Sequence, residues 1–399
     1  MATTDKEPRR PRGSERARTP RANRSGKSSK AKAGPGVSRG KGNWRTAAFT
    51  DESTVSVANS KSARKVHKLL AELQNKRSLL ILMQDNPDPD SIAAAAALRR
   101  LANSLGEVQC SIAYGGVIGR SENRAVMDYL GLNFRGCDQV DPTKYDAIAL
   151  VDTQPSAGNN SLPEEVLPNI VLDHHPLRPE TRSVPFTDVR SKYGAVSTIL
   201  FEYLREAEIV PDPPLATALL YAIRTDTQDL GLEAVRADVD ALLALYPLAN
   251  KKMLSAIQRR SVSPEYFQTL ALALKNADVY NNCIISELGE LDNPDMIGEV
   301  ADILVRHEAI DWVLCSGVNN ATVWLSVRTT QTAAAAGALM QGVVKNIGTG
   351  GGHEQSAGGQ VRLTKGTKAE LESVQKTVHE RFLRETGAGD DQRRPLVSL

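Results

Sequence analysis

The sequence lacks long apolar runs and paired cysteines. No apolar run approaches the roughly 20 residues that cross a bilayer, so we expect no membrane-spanning segment. The four cysteines are dispersed without a Cys-x-x-Cys pair, which argues against a zinc site and against a disulfide framework. No apolar segment follows the basic N-terminus, which disfavours a secretory signal and leaves an organellar transit peptide open. These absences favour a protein of the reducing cytoplasm.

Acidic residues are scarce in the first 45 residues, which carry 14 lysines and arginines against Asp5, Glu7 and Glu15. These residues therefore carry a net charge of +11. Because the whole chain has a net charge of +2, the remaining residues together carry −9. Residues 1–48 are also poor in large apolar side chains, so we expect a disordered tail that cannot offset its ordering entropy. Such a tail could contact nucleic acid through phosphates or be only a solvated arm.

Apolar runs alternate with helical patterns through the first half of the ordered chain, which we expect to begin near Phe49. Strands are predicted at 78–84, 108–114, 146–152 and 169–172, and helices at 60–75, 91–105, 121–130, 194–204 and 215–223. This alternation predicts an α/β fold with a mostly parallel sheet flanked by helices. Its boundaries are predicted at residues 49 and 245.

The second half predicts a helical linker and a smaller C-terminal α/β lobe. Helical patterns at 233–245 and 251–274 precede a strand at 279–288 and a helix at 294–306. Two further runs, 311–318 and 322–328, predict a strand pair. We therefore expect the linker at 246–276, a lobe with a mixed sheet at 277–386, and a flexible end at 387–399.

Acidic residues and histidines stand where several of these elements end. Asp173, His174 and His175 follow a buried run, and the two histidines point in opposite directions, which indicates different roles. An isolated His-His pair is as often a solvated loop. Asp88 and Asp90 lie two residues apart in a proline-fixed loop, so both could face one site; the alternative is a turn followed by a helix capped by Ser91.

Asp152 and Asp226 add two more carboxylates at element ends, so a shared metal cluster explains the pattern. Many like charges converge only around cations, because repulsion and desolvation are otherwise severe. Oxygen ligands with one or two imidazoles suit Mn²⁺, and Mg²⁺ less well. Two such ions about 3.5–4 Å apart generate a hydroxide and stabilise an in-line displacement at phosphorus. The pattern therefore predicts phosphoester hydrolysis.

The motifs Asn-Pro-Asp-x-Asp at 86–90, Val-Asp-Thr at 151–153, Asp-His-His-Pro at 173–176 and Arg-Thr-Asp-Thr at 224–227 resemble those of the DHH phosphoesterase superfamily. The glycine-rich stretch 348–359 resembles its associated substrate-binding domain. The similarity covers about residues 76–381. It is greatest to the oligoribonuclease and phosphoadenosine-phosphate phosphatase branch, which cleaves very short RNAs and nucleoside bisphosphates.

The resemblance implies roles for individual residues. Asp88 and Asp152 would bind one Mn²⁺, and Asp90, Asp152, His174 and Asp226 would bind the other. His175 would face the scissile phosphate, and Asp173 would orient the histidine beside it. The family usually has histidine where this chain has Gln84, and an amide oxygen is the weaker ligand. The first metal site is therefore expected to be looser; the competing hypothesis is a degenerate nucleotide-binding protein.

The second lobe supplies the residues implied to bind substrate, which are Arg328, Gly350, Gly351, Gly352 and His353. Arg328 ends a predicted strand and could grip a phosphate bidentately, although such an arginine is often only a surface residue. Consecutive glycines let backbone N–H groups form a phosphate-binding nest, and flexible linkers look similar. Single-strand exonucleases and polyphosphatases share the metal chemistry; no insertion for gripping long DNA is visible. Oligomeric state stays open, a homodimer included.

Overall fold

The computed structural model describes residues 61–105, 108–231, 234–331, 334–352, 354–389 and 393–397. The basic tail predicted at 1–48 and the start of the ordered chain near Phe49 lie outside these ranges. Two β-sheets organise the described chain, and we name the residues around them the first lobe (61–245) and the second lobe (277–397). None of the helices described has the length and apolarity that crossing a membrane requires.

The first lobe contains strands β1 (Ser78–Met83), β2 (Gln109–Tyr114), β3 (Phe134–Gly136), β4 (Ala147–Val151), β5 (Ile170–Asp173) and β6 (Phe186–Val189). They form one sheet in the order β3-β2-β1-β4-β5-β6, and all neighbours are parallel. Strands β1, β4 and β5 are apolar and almost wholly buried, as parallel strands covered on both faces must be. Chain order reverses between β1 and β4, and open α/β sheets bind ligands at the carboxyl ends beside such a reversal.

The helices of the first lobe are α1 (Lys61–Leu73), α2 (Pro89–Ala102), α3 (Ser121–Leu130), α4 (Val196–Glu206), α5 (Pro213–Asp226) and α6 (Arg236–Leu245). Helix α2 packs against α3, α4 and α5, and its five successive buried alanines, 93–97, allow this close approach. On the other face of the sheet, Leu80, Leu82 and Val171 pack against loop residues such as Val140 and Leu162. Short 3-10 turns and loops therefore cover part of the sheet where the α/β pattern predicts further helices.

Two helices, α7 (Lys251–Gln258) and α8 (Pro264–Lys275), connect the lobes. The second lobe then contains β7 (Ala277–Tyr280), β8 (Cys283–Glu290), α9 (Asp295–Leu304), β9 (Trp312–Asn319), β10 (Thr322–Thr329), α10 (Ala336–Val343), β11 (Thr349–Gly352), β12 (Ser356–Arg362), α11 (Lys368–Thr386) and β13 (Arg394–Pro395). Its sheet has the order β11-β12-β10-β9-β8-β7-β13 and is antiparallel except between β8 and β9. Helix α9 covers one face, and α10 and α11 cover the other.

The predicted fold class is confirmed: a parallel sheet flanked by helices precedes a second, mixed sheet. Three local predictions are wrong. The single strand predicted at 279–288 is the hairpin β7–β8, which turns at Asn281 with φ of 54°. The helix predicted at 251–274 is broken before Pro264, whose ring disfavours helical backbone at the residue preceding it. Ser91 does not cap α2, because Asp88 does.

A buried ion network joins β6 to α4 beside the site described below. Arg190 donates to Asp188 Oδ2 at 2.7 Å and to Glu202 Oε2 at 2.6 Å, and Tyr203 donates its hydroxyl to the same Asp188 oxygen. We expect Arg190→Met to destabilise the protein by about 3–5 kcal/mol, because it leaves a buried carboxylate without its main counter-charge. Denaturant unfolding of the metal-free protein measures this loss.

The control is Arg236→Met on α6, which removes an exposed pair with Asp240 and should cost at most about 1 kcal/mol. Equal losses for the two variants would show that the Arg190 network contributes no more than a surface ion pair.

Candidate metal centre

Three neighbouring strands deliver polar residues to one edge of the first sheet. Gln84 follows β1, Asp152 follows β4, and Asp173 ends β5 immediately before the two histidines. Parallel strands present their carboxyl ends at the same edge, so sequence-distant residues meet there. Asp226 arrives from the last residue of α5. The edge thus gathers residues from four separate elements.

His174 lies at the centre of the acidic cluster. Its Nε2 is 3.3 Å from Asp226 Oδ2 and 3.6 Å from Asp152 Oδ1. Ligand atoms of Asp90, His174 and Asp226 all lie within 4.8 Å of one another, as do those of Asp152, His174 and His175. His174 Nδ1 donates to the Tyr193 carbonyl at 3.1 Å, which fixes the ring and directs Nε2 toward the carboxylates. The two groups share His174 and could hold divalent cations.

The electrostatics of the cluster fit a bound cation. Asp152 is almost wholly buried, and burial, followed by Asp88, Asp90, Asp173 and Asp226, raises its carboxyl pKa well above the ordinary value. Its Oδ1 accepts no hydrogen bond from the part of the chain that the structure describes. Asp152 also has φ of 61°, a left-handed conformation that costs energy in a non-glycine residue. Anionic carboxylates at this spacing require positive charge, which a hard divalent ion supplies.

His175 is held by a different partner from His174. Its Nδ1 donates to Asp173 Oδ1 at 2.8 Å, and the same oxygen accepts the backbone N–H of His174 at 2.8 Å. Burial lowers the pKa of His175, but the hydrogen bond and charge of Asp173 outweigh burial and raise it overall. Burial correspondingly raises the pKa of Asp173, and the bond from His175 brings it below its ordinary value. The two side chains therefore behave as an oriented imidazole and carboxylate pair.

The first motif adopts a different backbone from the predicted extended loop. Asp88 is the N-cap of α2, with Oδ1 accepting from Ser91 N at 2.9 Å, while Asp90 lies inside the first helical turn. Asp90 then accepts the backbone N–H groups of Val196 and Ser197 at 2.7 and 2.8 Å, so it also caps α4. A short loop ending in Pro89 favours an N-cap because proline is well suited to the first helical position.

Gln84 occupies the position at which the resemblance leads one to expect histidine. Its Oε1 accepts from Asn159 Nδ2 at 3.4 Å, so the amide is oriented by a neighbouring loop. Asp85 points elsewhere and accepts from Ser161 Oγ at 2.8 Å. Asp85 therefore does not substitute for the missing imidazole.

A pair of arginines lines a cavity of about 390 Å³ between the lobes. Arg328 Nε donates to Asp302 Oδ1 at 2.5 Å, and Arg120 Nη2 donates to Asp302 Oδ2 at 3.1 Å. A Cβ built on Gly298 would lie 3.1 Å from Arg120 Nη2 and 3.4 Å from Arg328 Nη2, so both guanidiniums converge above this glycine. Arg328 is predicted from the sequence, whereas Arg120 and Asp302 are not, because their contact depends on how the lobes pack.

The glycine-rich stretch forms strands where the sequence predicts a phosphate nest. Gly350, Gly351 and Gly352 belong to β11, which pairs antiparallel with β12, so the predicted nest is wrong for these residues. Gly352 has φ of 155°, and a Cβ on Gly337 of α10 would lie 2.4 Å from its carbonyl oxygen, so the two backbones pack directly. His353 lies outside the described residues.

A second cavity, of about 640 Å³, lies between the two lobes beside Gly352. It is lined by His174 and His175 of the first lobe and by Gly337, Gly352 and Glu354 of the second. Gly352 also lines the cavity that holds the arginines. The candidate metal ligands and the arginine pair therefore lie on either side of one strand end.

The sequence is similar to a known protein family and to individual proteins. Residues 78–223 match the model of the DHH family, N-terminal domain. An uncharacterized protein of Methanocaldococcus jannaschii is 35% identical over 313 residues, covering 78% of this chain and 63% of that protein. A probable manganese-dependent inorganic pyrophosphatase of Lactobacillus gasseri is 28% identical over 185 residues, covering 44% and 59%. The chain thus spans about three fifths of the length of these relatives.

A solved structure shares the fold across most of the chain. The crystal structure of an exopolyphosphatase-related protein from Bacteroides fragilis superposes with a TM-score of 0.61 at 11% identity. The match covers 81% of this chain and 98% of that one. It therefore supports the arrangement of both sheets.

Metal binding through Asp152 can be tested without an activity assay. We expect Mn²⁺ to raise the Tm of the parent protein. Losing a residue that only hydrogen-bonds to a metal ligand typically weakens metal binding by roughly 10–100-fold, and we expect Asp152→Asn to weaken Mn²⁺ binding by more than this. The metal-free variant should be more stable than the parent at neutral pH, because a buried repelling charge is removed. Titration calorimetry and thermal melts measure the two effects.

Asp240→Asn, which changes an exposed carboxylate on α6, is the control and should leave both quantities unaltered. Mn²⁺ binding by Asp152→Asn with the affinity of the parent would exclude Asp152 as a ligand.

Proposed function

Because residues 78–223 belong to the DHH family, we propose that this chain is a metal-dependent phosphoesterase acting on short oligoribonucleotides and nucleoside bisphosphates. The observation that carries the proposal is the cluster around the buried Asp152 Oδ1, which faces a cleft whose other side holds paired arginines. In this proposal, residues 49–245 form the phosphoesterase domain and 277–386 the substrate-binding domain, joined by the linker 246–276.

The cluster would hold two divalent ions, for which Mn²⁺ is the best candidate. Asp88 and Asp152, with a weak contribution from Gln84, would hold one ion; Asp90, Asp152, His174 and Asp226 would hold the other. Bound ions would neutralise phosphate charge and lower the pKa of the attacking water. The grouping of Asp90, His174 and Asp226 within 4.8 Å supports the second set.

His175 would act on the substrate itself. Its Nδ1 is bonded to Asp173, so its Nε2 is the ring nitrogen directed to the scissile phosphate, where it stabilises developing charge by hydrogen bonding. Asp173 would keep the imidazole in that orientation and is itself held by three donors on the same loop. Donation from Nε2 to a phosphate oxygen while Nδ1 donates to Asp173 requires the protonated ring, which the carboxylate of Asp173 stabilises.

The second lobe would hold the part of the substrate that is not cleaved. Arg120 and Arg328 share one carboxylate, Asp302, and both guanidiniums line the cleft, where they would bind a second phosphate. The cleft of about 640 Å³ between the lobes exceeds what a diphosphate needs and has the size of sites that hold small organic ligands. A substrate with two phosphates separated by a nucleoside matches both features.

Hydrolysis of inorganic pyrophosphate or polyphosphate is the second candidate function. It is favoured by the similarity to a probable manganese-dependent inorganic pyrophosphatase, and the arginine pair would equally bind an inorganic phosphate. The absence of a nucleoside would leave much of the cleft filled by water, which is why we place this candidate second.

A substrate panel with Mn²⁺ separates these functions. We expect kcat/KM for 5′-phosphorylated dinucleotide RNA and adenosine 3′,5′-bisphosphate to exceed that for pyrophosphate by about 100-fold or more, because contacts outside the reacting phosphate contribute to its transition state. Long single strands and a cyclic dinucleotide complete the panel. Preference for pyrophosphate or polyphosphate would replace the proposed function with the second candidate, and nucleotide binding without hydrolysis would identify a degenerate binding protein.

Gln84 sets the metal requirement in this proposal. We expect the parent to be active but to need a high Mn²⁺ concentration, and Gln84→His to lower the concentration for half-maximal activity by about 10-fold, because imidazole is the better ligand. Manganese titrations of activity measure the change.

Gln109→His adds a histidine at the exposed start of β2, far along the strand from the site, and should leave the titration curve unchanged. If neither the parent nor Gln84→His hydrolyses any substrate at saturating Mn²⁺, the assignment of a working site fails.

A further inference from the structure

We propose that Gln154 is a positioning residue that holds His175 in its reactive orientation by acting on Asp173. The inference rests on the proposed function, in which His175 contacts the scissile phosphate. Gln154 does not touch the cleft: it lies two residues after Asp152, and its side chain is buried. Its influence would therefore pass through hydrogen bonds.

The Gln154 amide uses both its donors and both acceptor positions. Nε2 donates to Asp173 Oδ2 at 2.6 Å and to the Pro176 carbonyl at 3.0 Å. Oε1 accepts from the backbone N–H of Arg178 at 2.9 Å and from Thr181 Oγ1 at 2.8 Å. A single side chain thus connects the loop after β4, which carries Asp152, to the loop after β5, which carries both histidines.

The hydrogen bond from Gln154 to Asp173 Oδ2 leaves Oδ1 as the oxygen that accepts from His175. Oδ2 is occupied by Gln154, while Oδ1 accepts from the backbone N–H groups of His174 and His175 and from His175 Nδ1. The carboxylate is fixed at both ends, so its rotation about the terminal bond would break several hydrogen bonds at once. His175 Nδ1 is thereby held by Asp173 Oδ1, which sets the direction of the imidazole ring.

Glutamine is the residue type that this position requires. Glutamate lacks the N–H donors and would place a second carboxylate 2.6 Å from Asp173 Oδ2, where like charges repel. Methionine has a comparable length and no amide, so it would preserve packing while leaving Asp173 Oδ2 and two loop donors without partners. Gln154→Met therefore tests the loss of the hydrogen bond to Asp173. Gln154→Glu tests its replacement by repulsion between two carboxylates.

The alternative is that Gln154 only fastens the loop at 176–181. Thr181→Val provides the matched control, because it removes one hydrogen bond from Gln154 Oε1 and leaves the bond to Asp173 in place. A fastening role predicts that Thr181→Val and Gln154→Met have similar effects on His175. A positioning role predicts that only the changes at Gln154 alter the imidazole.

The first experiment observes His175 directly in the metal-free, full-length chain. The chain has six histidines, and His175→Ala identifies by its disappearance which imidazole Nδ1–H signal belongs to His175 in the proton NMR spectrum. We expect a downfield, exchange-protected signal in the parent and in Thr181→Val, and its loss or marked upfield shift in Gln154→Met and Gln154→Glu. An unaltered signal in both Gln154 variants, with circular dichroism like that of the parent, would overturn the inference.

The second experiment is a kinetic cycle with the best substrate of the panel. We expect Gln154→Met to lower kcat by about 10–100-fold, the usual effect of removing a partner that orients a functional side chain, with little change in KM. In the His175→Ala background, the same change should have almost no further effect. Equal losses in both backgrounds would show that Gln154 does not act through His175.

The two experiments distinguish failure of the inference from failure of the proposed function. A parent protein that hydrolyses nothing but shows the Gln154-dependent His175 signal would retain the positioning role and lose the enzyme assignment. An active parent whose His175 signal and kcat do not depend on Gln154 would retain the function and lose the positioning role.

Discussion

The structure depends on a concentration of negative charge that the protein cannot neutralise with its own side chains in the cluster. Asp90 and Asp152 are buried, and burial, the largest influence on each, raises the pKa of both carboxyl groups. Burying carboxylates is costly even where, as for Asp90, backbone N–H groups donate hydrogen bonds to them. A cation that bound the folded state at the reversal point of the sheet would return the lost free energy.

Hydrogen bonds to the backbone hold several ligand atoms of the candidate metal centre in place. Tyr193 fixes His174 through a backbone carbonyl, two backbone N–H groups of α4 fix Asp90, and a third, in α2, fixes Asp88. Backbone partners belong to regular elements and move little, so each ligand atom is placed by the fold. The placement of Asp152 has an energetic cost, because its backbone adopts the left-handed conformation immediately after β4.

The sequence predicts the first sheet and the cluster well because both follow from local patterns. Buried runs at β1, β4 and β5 end in polar residues, and parallel strands bring those ends together. Prediction from the sequence fails where two local structural preferences compete, or where the interacting residues are distant in the sequence. Asp88 rather than Ser91 caps α2, and the glycine run forms β11 because strand pairing with β12 outweighs the flexibility of glycine. Arg120 and Gln154 escaped notice because their partners, Asp302 and Asp173, lie far along the chain.

The contact between the lobes involves two arginines, although residues 46–399 together carry a net charge of −9. Asp302 is shared by Arg120 and Arg328, so one carboxylate orients both guanidiniums. A separate carboxylate, Asp295, accepts the backbone N–H groups of Gly119 and Arg120 at 2.8 and 3.0 Å and so holds the Arg120 backbone to α9. In the proposed function, a phosphate bound to the arginines would leave the hydrogen bonds of Asp295, and with them this contact between the lobes, in place.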